Sequence, residues 1–378
     1  MTAGTSYGPV CRGRRKKSQS LFFGQGLASV QDYNTNEMKI KKYLFLLAFC
    51  SSTLLAQESK PLSLSVEARG DYQREYVDGE TQKDECGFKG NILNVILKGD
   101  ISPKFSYSYR QRLSGINKDR TFFDATDWVY LNYKATENLT LTAGKQIVFV
   151  GGWELEPAPI DVYQLSEFCY NFPCYEWGVI ATYNFSGGKD NLIMQICESP
   201  YQKAFKNIHG ESGDMYAYNL MWYGKHGFFE PLWSVNMMEY APGKYINYIA
   251  LGNKLHMGRR VQLEFDYLNR ASSRQTFFFR DCSVMGKLNY QPVEQLNLFA
   301  KVSYDVNKSG NESDLCVLDG TEITRIGGGV EYFPLKNDKV RAHAHYSYAF
   351  GNNTNPAGTL KDKQSAFNIG LTWRINVL

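Results

Sequence analysis

Short blocks of alternating apolar and polar residues, joined by connections that are alternately tight and long, constrain this chain more than any other feature. The blocks fall near 62–76, 88–101, 104–113, 125–135, 138–149, 175–185, 190–198, 214–224, 228–240, 245–256, 259–270, 276–290, 294–306, 321–333, 338–350 and 364–377. In the first, Leu62, Leu64, Val66 and Ala68 alternate with Ser63, Ser65, Glu67 and Arg69. In the last, Phe367, Ile369, Leu371, Trp373 and Ile375 alternate with Asn368, Gly370, Thr372, Arg374 and Asn376. A period of two puts each set on its own face of a β-strand. Only the blocks 125–135, 228–240 and 245–256 lack clean parity, and their faces stay unassigned at this level.

The connections sort by position. Ser102-Pro103, Thr136-Glu137, Ser186–Lys189, Lys225–Gly227, Met257-Gly258, Gln291–Val293 and Pro334–Asn337 are tight. Between them come longer polar segments at 77–87, 114–124, 150–174, 199–213, 307–320 and 351–363. A soluble sandwich has no reason to separate its loops this way, whereas strands crossing an outer membrane do. Mean hydropathy is −0.39, which excludes a polytopic helical membrane protein, while 26 Tyr, 23 Phe and 6 Trp suit strands with one lipid face and one wet face. Lipid cannot satisfy an open sheet edge, so the strands must close into a ring. The expectation is an all-β fold, a sixteen-stranded antiparallel transmembrane β-barrel with short periplasmic turns and long extracellular loops. At that strand number the ring encloses an aqueous lumen.

A leader precedes the barrel. Met38 is followed by Lys39, Lys41 and Lys42, then by the apolar run YLFLLAFCSSTLLA ending at Ala56. That layout is a secretory signal peptide, and the run is too short for a membrane-spanning helix. The domain reading is therefore an upstream segment without a role at 1–37, a signal peptide at 38–56 and the barrel at 57–378. Residues 1–56 hold eight basic and two acidic residues, so of 42 and 38 in the chain 34 and 36 remain, a charge of about −2. The overall +4 is thus no argument for a nucleic-acid partner. The last strand, with Asn368, Gly370, Trp373 and Ile375, fits the C-terminal signal by which the barrel-assembly machinery receives its clients, although Leu378 stands where that signal ends in Phe.

The longest connection, VGGWELEPAPIDVYQLSEFCYNFPC at 150–174, follows Ala143-Gly144-Lys145-Gln146. Those four residues, with Gly151-Gly152-Trp153-Glu154, Tyr163, Ser166-Glu167-Phe168 and Gly178, resemble the phosphate-selective porin O/P family. The resemblance implies a trimeric, sixteen-stranded outer-membrane channel for small solutes in a Gram-negative cell. In such barrels the third long loop folds inward and narrows the lumen, and phosphate-selective members line the passage with Lys and Arg. Here the loop carries Glu154, Glu156, Asp161 and Glu167 and no base. Lumen-parity positions offer Arg69, Arg110, Arg112, Lys287, Lys301, Arg325, Arg341 and Arg374 as the facing pore wall. Acids opposite bases in a narrow passage would set up a transverse field that filters solutes by charge and dipole. Because the loop is acidic, the expectation is mixed or cation-leaning selectivity rather than a phosphate channel.

Beyond the leader lie Cys86, Cys169, Cys174, Cys197, Cys282 and Cys316. Export permits disulfides, and a bridge between Cys169 and Cys174 would stiffen the constriction loop. His343 and His345 share a face and are read as lumen lining rather than as metal ligands, which would need further residues to converge. Gly327-Gly328-Gly329 lacks the Lys of a phosphate loop and is expected to mark a bend or bulge. No catalytic set, cofactor or metal motif emerges. The leading function is a passive porin for small hydrophilic solutes or ions, working as a homotrimer in outer-membrane lipid. A substrate-specific oligosaccharide channel or exporter and an outer-membrane barrel enzyme are the alternatives.

Overall fold

The computed structural model describes residues 62–378 except 118–119, 186, 211–212, 273–278 and 311. The upstream segment and the signal peptide expected at 1–37 and 38–56 lie outside the described residues. Sixteen long strands follow one another, each hydrogen-bonded to the next and all antiparallel. They are β1 (Ser63–Val77), β2 (Gly87–Ser102), β3 (Phe105–Arg112), β4 (Thr126–Lys134), β5 (Leu139–Ile147), β6 (Tyr175–Asn184), β7 (Asp190–Glu198) and β8 (Tyr216–Gly224) in the first half. The second half runs β9 (Phe229–Ala241), β10 (Lys244–Met257), β11 (Val261–Ala271), β12 (Asp281–Val293), β13 (Leu296–Asn307), β14 (Glu322–Tyr332), β15 (Val340–Asn352) and β16 (Gln364–Asn376). A two-residue ribbon, Glu80–Thr81, folds back onto the end of β1. Pairing of β1 with β16, from Ser65↔Asn376 to Val77↔Gln364, closes the ring and leaves no sheet edge. The expected sixteen-stranded barrel is therefore present.

The alternation acts as anticipated. Phe367, Ile369, Leu371, Trp373 and Ile375 on β16 are exposed on the outside, while Thr372 is buried within. The outside is an apolar surface suited to lipid. No helix among the described residues is long and apolar enough to cross a membrane, so strands do the crossing.

The three strands without clean parity have distinct causes. On β4 a register shift against Arg110/Gln111 leaves Asp127 without an opposite residue, and the inner face is aromatic at Trp128, whose Nε1 donates to Ser108 Oγ at 2.9 Å. On β9 and β10 the inner face is apolar toward the long-loop end, at Met238, Ile246, Tyr248 and Ala250. Both faces of these strands are apolar because the inside is filled there. Val148, Val150, Phe168, Cys169 and Phe172 from the third long loop meet Tyr201, Cys316 and Val317 from other long loops in one buried cluster. The barrel thus carries a dry plug against β7–β11 at the long-loop end.

The triple glycine departs from expectation. Strand β14 pairs with β13 and β15 without any register shift through Gly327-Gly328-Gly329, so there is no bulge. A Cβ on Gly327 would come within 2.3 Å of Gln164 Oε1, and one on Gly329 within 2.7 Å of the Phe299 ring. Clearance, not bending, is what these positions require. At Gly327 the clearance admits Gln164 of the third loop, and at Gly329 it admits the Phe299 ring of the wall.

Candidate functional site

The third loop leaves β5 and runs around the inside of the barrel before returning to β6. Its first limb is tied to the wall by a ladder of amides. Asn236 Nδ2 donates to Asn219 Oδ1 at 2.7 Å and to the Phe149 carbonyl at 2.7 Å, and Asn219 Nδ2 donates to Gln195 Oε1 at 2.8 Å. The Gly151 N–H donates to Ser234 Oγ at 2.8 Å. Gly151 and Gly152 are needed for this close approach. A Cβ on Gly151 would lie 2.6 Å from the Leu232 carbonyl, and Gly152 has φ +120°. Trp153 then drops into a pocket with Met221, Leu232 and Met285, with the Lys254 ammonium 3.4 Å from its ring centroid.

Two wall carboxylates hold the loop backbone. Asp266 accepts the N–H groups of Trp153 and Glu154 at 2.9 and 2.8 Å. Asp305 accepts those of Glu167 and Phe168 at 2.8 and 3.4 Å, at the start of the helix α1 (Glu167–Asn171). Ser166 caps that helix through the Cys169 N–H at 3.2 Å. Neither Asp266 nor Asp305 was singled out from the sequence. Each is an inward acid on an amphipathic strand, and only the path of the loop distinguishes it.

The loop acids meet wall bases directly. Lys301 Nζ donates to Glu154 Oε1 at 2.6 Å. Burial opposes the charged form of Glu154, but Lys301 and the hydrogen bonds from Ser166 outweigh it and hold the carboxyl below its ordinary value. Asp161 sits between Arg374, at 2.6 Å, and Arg341, at 3.0 Å. Arg374 also reaches Glu67, and Arg341 also reaches Glu331. Glu156 is exposed and makes no ion pair among the described residues. Glu167 is fully buried, away from the lumen, accepting from Asn171 Nδ2 and the Leu360 N–H.

Guanidinium groups also bind the loop through its carbonyls. Arg69 donates to Val162, Arg341 to Ile160 and Arg325 to Leu165, each at 3.0 Å. Tyr163 lies at the centre of this contact. Its ring stacks on Phe299 at 5.7 Å, tilts over His343 and His345, and has the Arg69 guanidinium 4.6 Å away. His343 Nε2 is 2.8 Å from Asp71, so the histidines belong to the wall beneath the loop.

On β3 Arg110 and Arg112 share Asp127, and Arg110 lies 3.7 Å from the Trp128 ring centroid. Lys287 extends over the Phe299 ring at 5.8 Å. Cys169 and Cys174 are free thiols, as are the other described cysteines. The bridge expected between the first two is absent. Cys169 is drawn into the apolar plug, whereas the Cys174 thiol turns to the Phe172 carbonyl at 3.3 Å. Burial raises both thiols, Cys174 to about 11.

Above the loop, toward the long-loop end, an open chamber of about 620 Å³ remains between the loop and the wall of β1, β2, β14, β15 and β16. Arg69, Arg112, Arg325 and Lys361 line it, against Glu75 and Glu85, while Arg74 stands on the outer face of β1 beside Tyr76.

The sequence model of the phosphate-selective porin O and P family matches residues 63–281. The chain belongs to this family. The porin is a passive diffusion channel of the outer membrane, and its family and fold are those of a non-enzymatic channel. No curated relative matches its sequence. Among solved structures, an anion-selective porin from Comamonas acidovorans is similar at a TM-score of 0.59 and 10% identity, covering 84% of this chain and 100% of that one. An in-vitro folded OmpT of Vibrio cholerae, described as a trimer form, is similar at 0.55 and 12%, covering 84% and 100%. Outer-membrane expressed OmpT gives 0.54 and 11%, covering 85% and 99%. At such identities the likeness is one of fold.

Proposed function

We propose that the porin favours small anionic hydrophilic solutes, which pass between the third loop and the arginine-bearing wall. One observation carries this. The loop acids that would attract cations are already engaged in contact pairs, Glu154 with Lys301 and Asp161 with Arg341 and Arg374. The chamber above them is bordered by Arg325 and Lys361, which make no ion pair among the described residues, and by Arg112, which shares a single Asp127 with Arg110, against Glu75 and a Glu85 that pairs with Lys89. A low-dielectric wall around such a surplus raises the local anion concentration. The reading departs from the mixed or cation-leaning selectivity expected from loop composition, because charge counts along a sequence do not reveal which charges touch.

The third loop is the constriction in this reading, and its clasp to the wall supports a fixed rather than swinging barrier. The protein works as a homotrimer, after receipt by the barrel-assembly machinery and removal of the leader at 38–56. Purified protein in a planar bilayer under a salt gradient tests the selectivity. An anion-favouring reversal potential is expected, and a cation-favouring one would overturn the proposal. Chemical cross-linking to a trimer and a mature N-terminus near Gln57 check the other two expectations.

A further inference from the structure

The chamber above the third loop is much larger than an inorganic anion requires. Its volume of about 620 Å³ falls in the range of pockets that hold whole organic ligands. A tetrahedral oxyanion or chloride would fill a small part of it and use only its cations.

The cations are not equivalent. Arg112 pairs with Asp127, and Arg69 with Asp71. Arg325 is different. Its Nε donates to Ser347 Oγ at 3.2 Å and its Nη1 to the Leu165 carbonyl at 3.0 Å, and among the described residues it makes no ion pair. Two neutral bonds fix the plane of the guanidinium while its charge stays uncompensated. With Nε and one Nη1 hydrogen in use, the Nη1–Nη2 edge is the one left to a carboxylate.

Beside it stands Tyr170 of α1, 41% exposed, with its ring centroid 5.8 Å from the Arg325 guanidinium carbon. An exposed aromatic face next to an unpaired guanidinium suits a ligand that joins a flat apolar ring face to an acid group. Asn368, whose buried Oδ1 has no hydrogen-bond partner, adds a neutral acceptor to the same chamber, which a bare anion would leave unused and a hydroxyl group would satisfy.

We propose that this chamber is a recognition site for hydroxylated carboxylic acids of sugar size, such as uronic acids. The carboxylate lies on Arg325, the ring on Tyr170, and a hydroxyl on the Asn368 amide. The inference rests on the anion-favouring reading above and narrows it from charge to ligand class. Conduction requires the site to be weak enough to release its solute, so binding is expected at about millimolar concentration.

Block of the salt current through single channels in a bilayer tests it, with glucuronate, glucose and inorganic phosphate as probes. Glucuronate should reduce the current with a half-effect at about millimolar concentration, and the other two should need about tenfold more. R325Q should raise the glucuronate half-effect by about tenfold, through loss of a charge-assisted bidentate contact. R325K, which keeps the charge but not the fork, should recover only part of this, and Y170A should weaken block while Y170F leaves it unchanged. Open conductance is recorded for each variant first, and Y170A, which leaves Arg325 and its bond to the loop in place, tests the site should R325Q fail to form channels. Equal block by phosphate and glucuronate would sink the sugar-acid assignment yet leave the anion preference standing. Glucose as effective as glucuronate would remove the carboxylate from it, and unaltered block in R325Q would remove Arg325. A cation-favouring reversal potential without any probe would instead remove the underlying reading.

Discussion

The two sides of the lumen face the same loop and treat it in opposite ways. Against β7–β11, toward the long-loop end, the loop is packed into a dry cluster: Phe168 stacks on Phe172 at 5.3 Å and meets Tyr248 edge-on at 5.7 Å. Against β13–β16 and β1 it is held by Lys301, Arg325, Arg341, Arg374 and Arg69, each bonded to a loop carboxylate or carbonyl. The difference teaches that both sides anchor the loop but only one borders open space. On the dry side even the charge present, Arg270 over the Phe168 ring, is closed off with Asp281 and Asp314, whereas on the other side the bases that fasten the loop also border the chamber.

This comparison breaks if a dry-side change alters selectivity. Phe168→Ala should lower the unfolding free energy by about 3–5 kcal/mol, as expected for truncating a buried aromatic, with no shift in reversal potential. Denaturant unfolding in detergent and bilayer recording check the two halves of that statement. On the charged side, Glu154→Gln leaves the Lys301 ammonium buried without its partner, at a cost of about 3–5 kcal/mol that the double variant Glu154→Gln with Lys301→Met should largely recover. The same pair predicts acid sensitivity. The Glu154 carboxyl is held below its ordinary 4.5 in the folded protein, so its stabilisation is complete above that value and is lost as pH falls through the depressed one. Single-channel noise should therefore rise on acidification below about pH 4.5, and less so in the double variant. Gly329→Val crowds the Phe299 ring that carries Tyr163, and should cost about 1–3 kcal/mol and change the open conductance.

Most of the barrel was legible because membrane strands repeat a simple rule at every second residue. The block read at 190–198 is the strand Asp190–Glu198, and most ends elsewhere agree within a few residues. The rule fails where the interior stops being water. Ile246, Tyr248 and Ala250 on β10 and Met238 on β9 look like a second lipid face, since sequence alone cannot tell a dry plug from a bilayer. The site was legible in its inventory and not in its pairing. All eight wall bases stand on strands of the barrel, yet nothing in their spacing reveals that Asp161 reaches both Arg341 and Arg374 across some two hundred residues of chain. The triple glycine was misread for a related reason. A strand glycine signals either a bend or a close neighbour, and here the neighbour, Gln164, arrives from a distant loop.

Glu156 offers the finest test of the contrast, with the smallest expected effect. By sequence it belongs with Glu154 and Asp161, three acids within eight residues of one loop. Structurally it is exposed and unpaired among the described residues, so it neither fastens the loop nor compensates a wall base. An exposed charge of this kind is screened by solvent and salt, and Glu156→Gln should change stability by no more than about 0.5 kcal/mol and shift the reversal potential only marginally toward anions. If instead Glu156→Gln moved selectivity as far as Glu154→Gln with Lys301→Met does, the passage would be governed by solvated loop acids. The arginine wall would then be a fastening and not a filter.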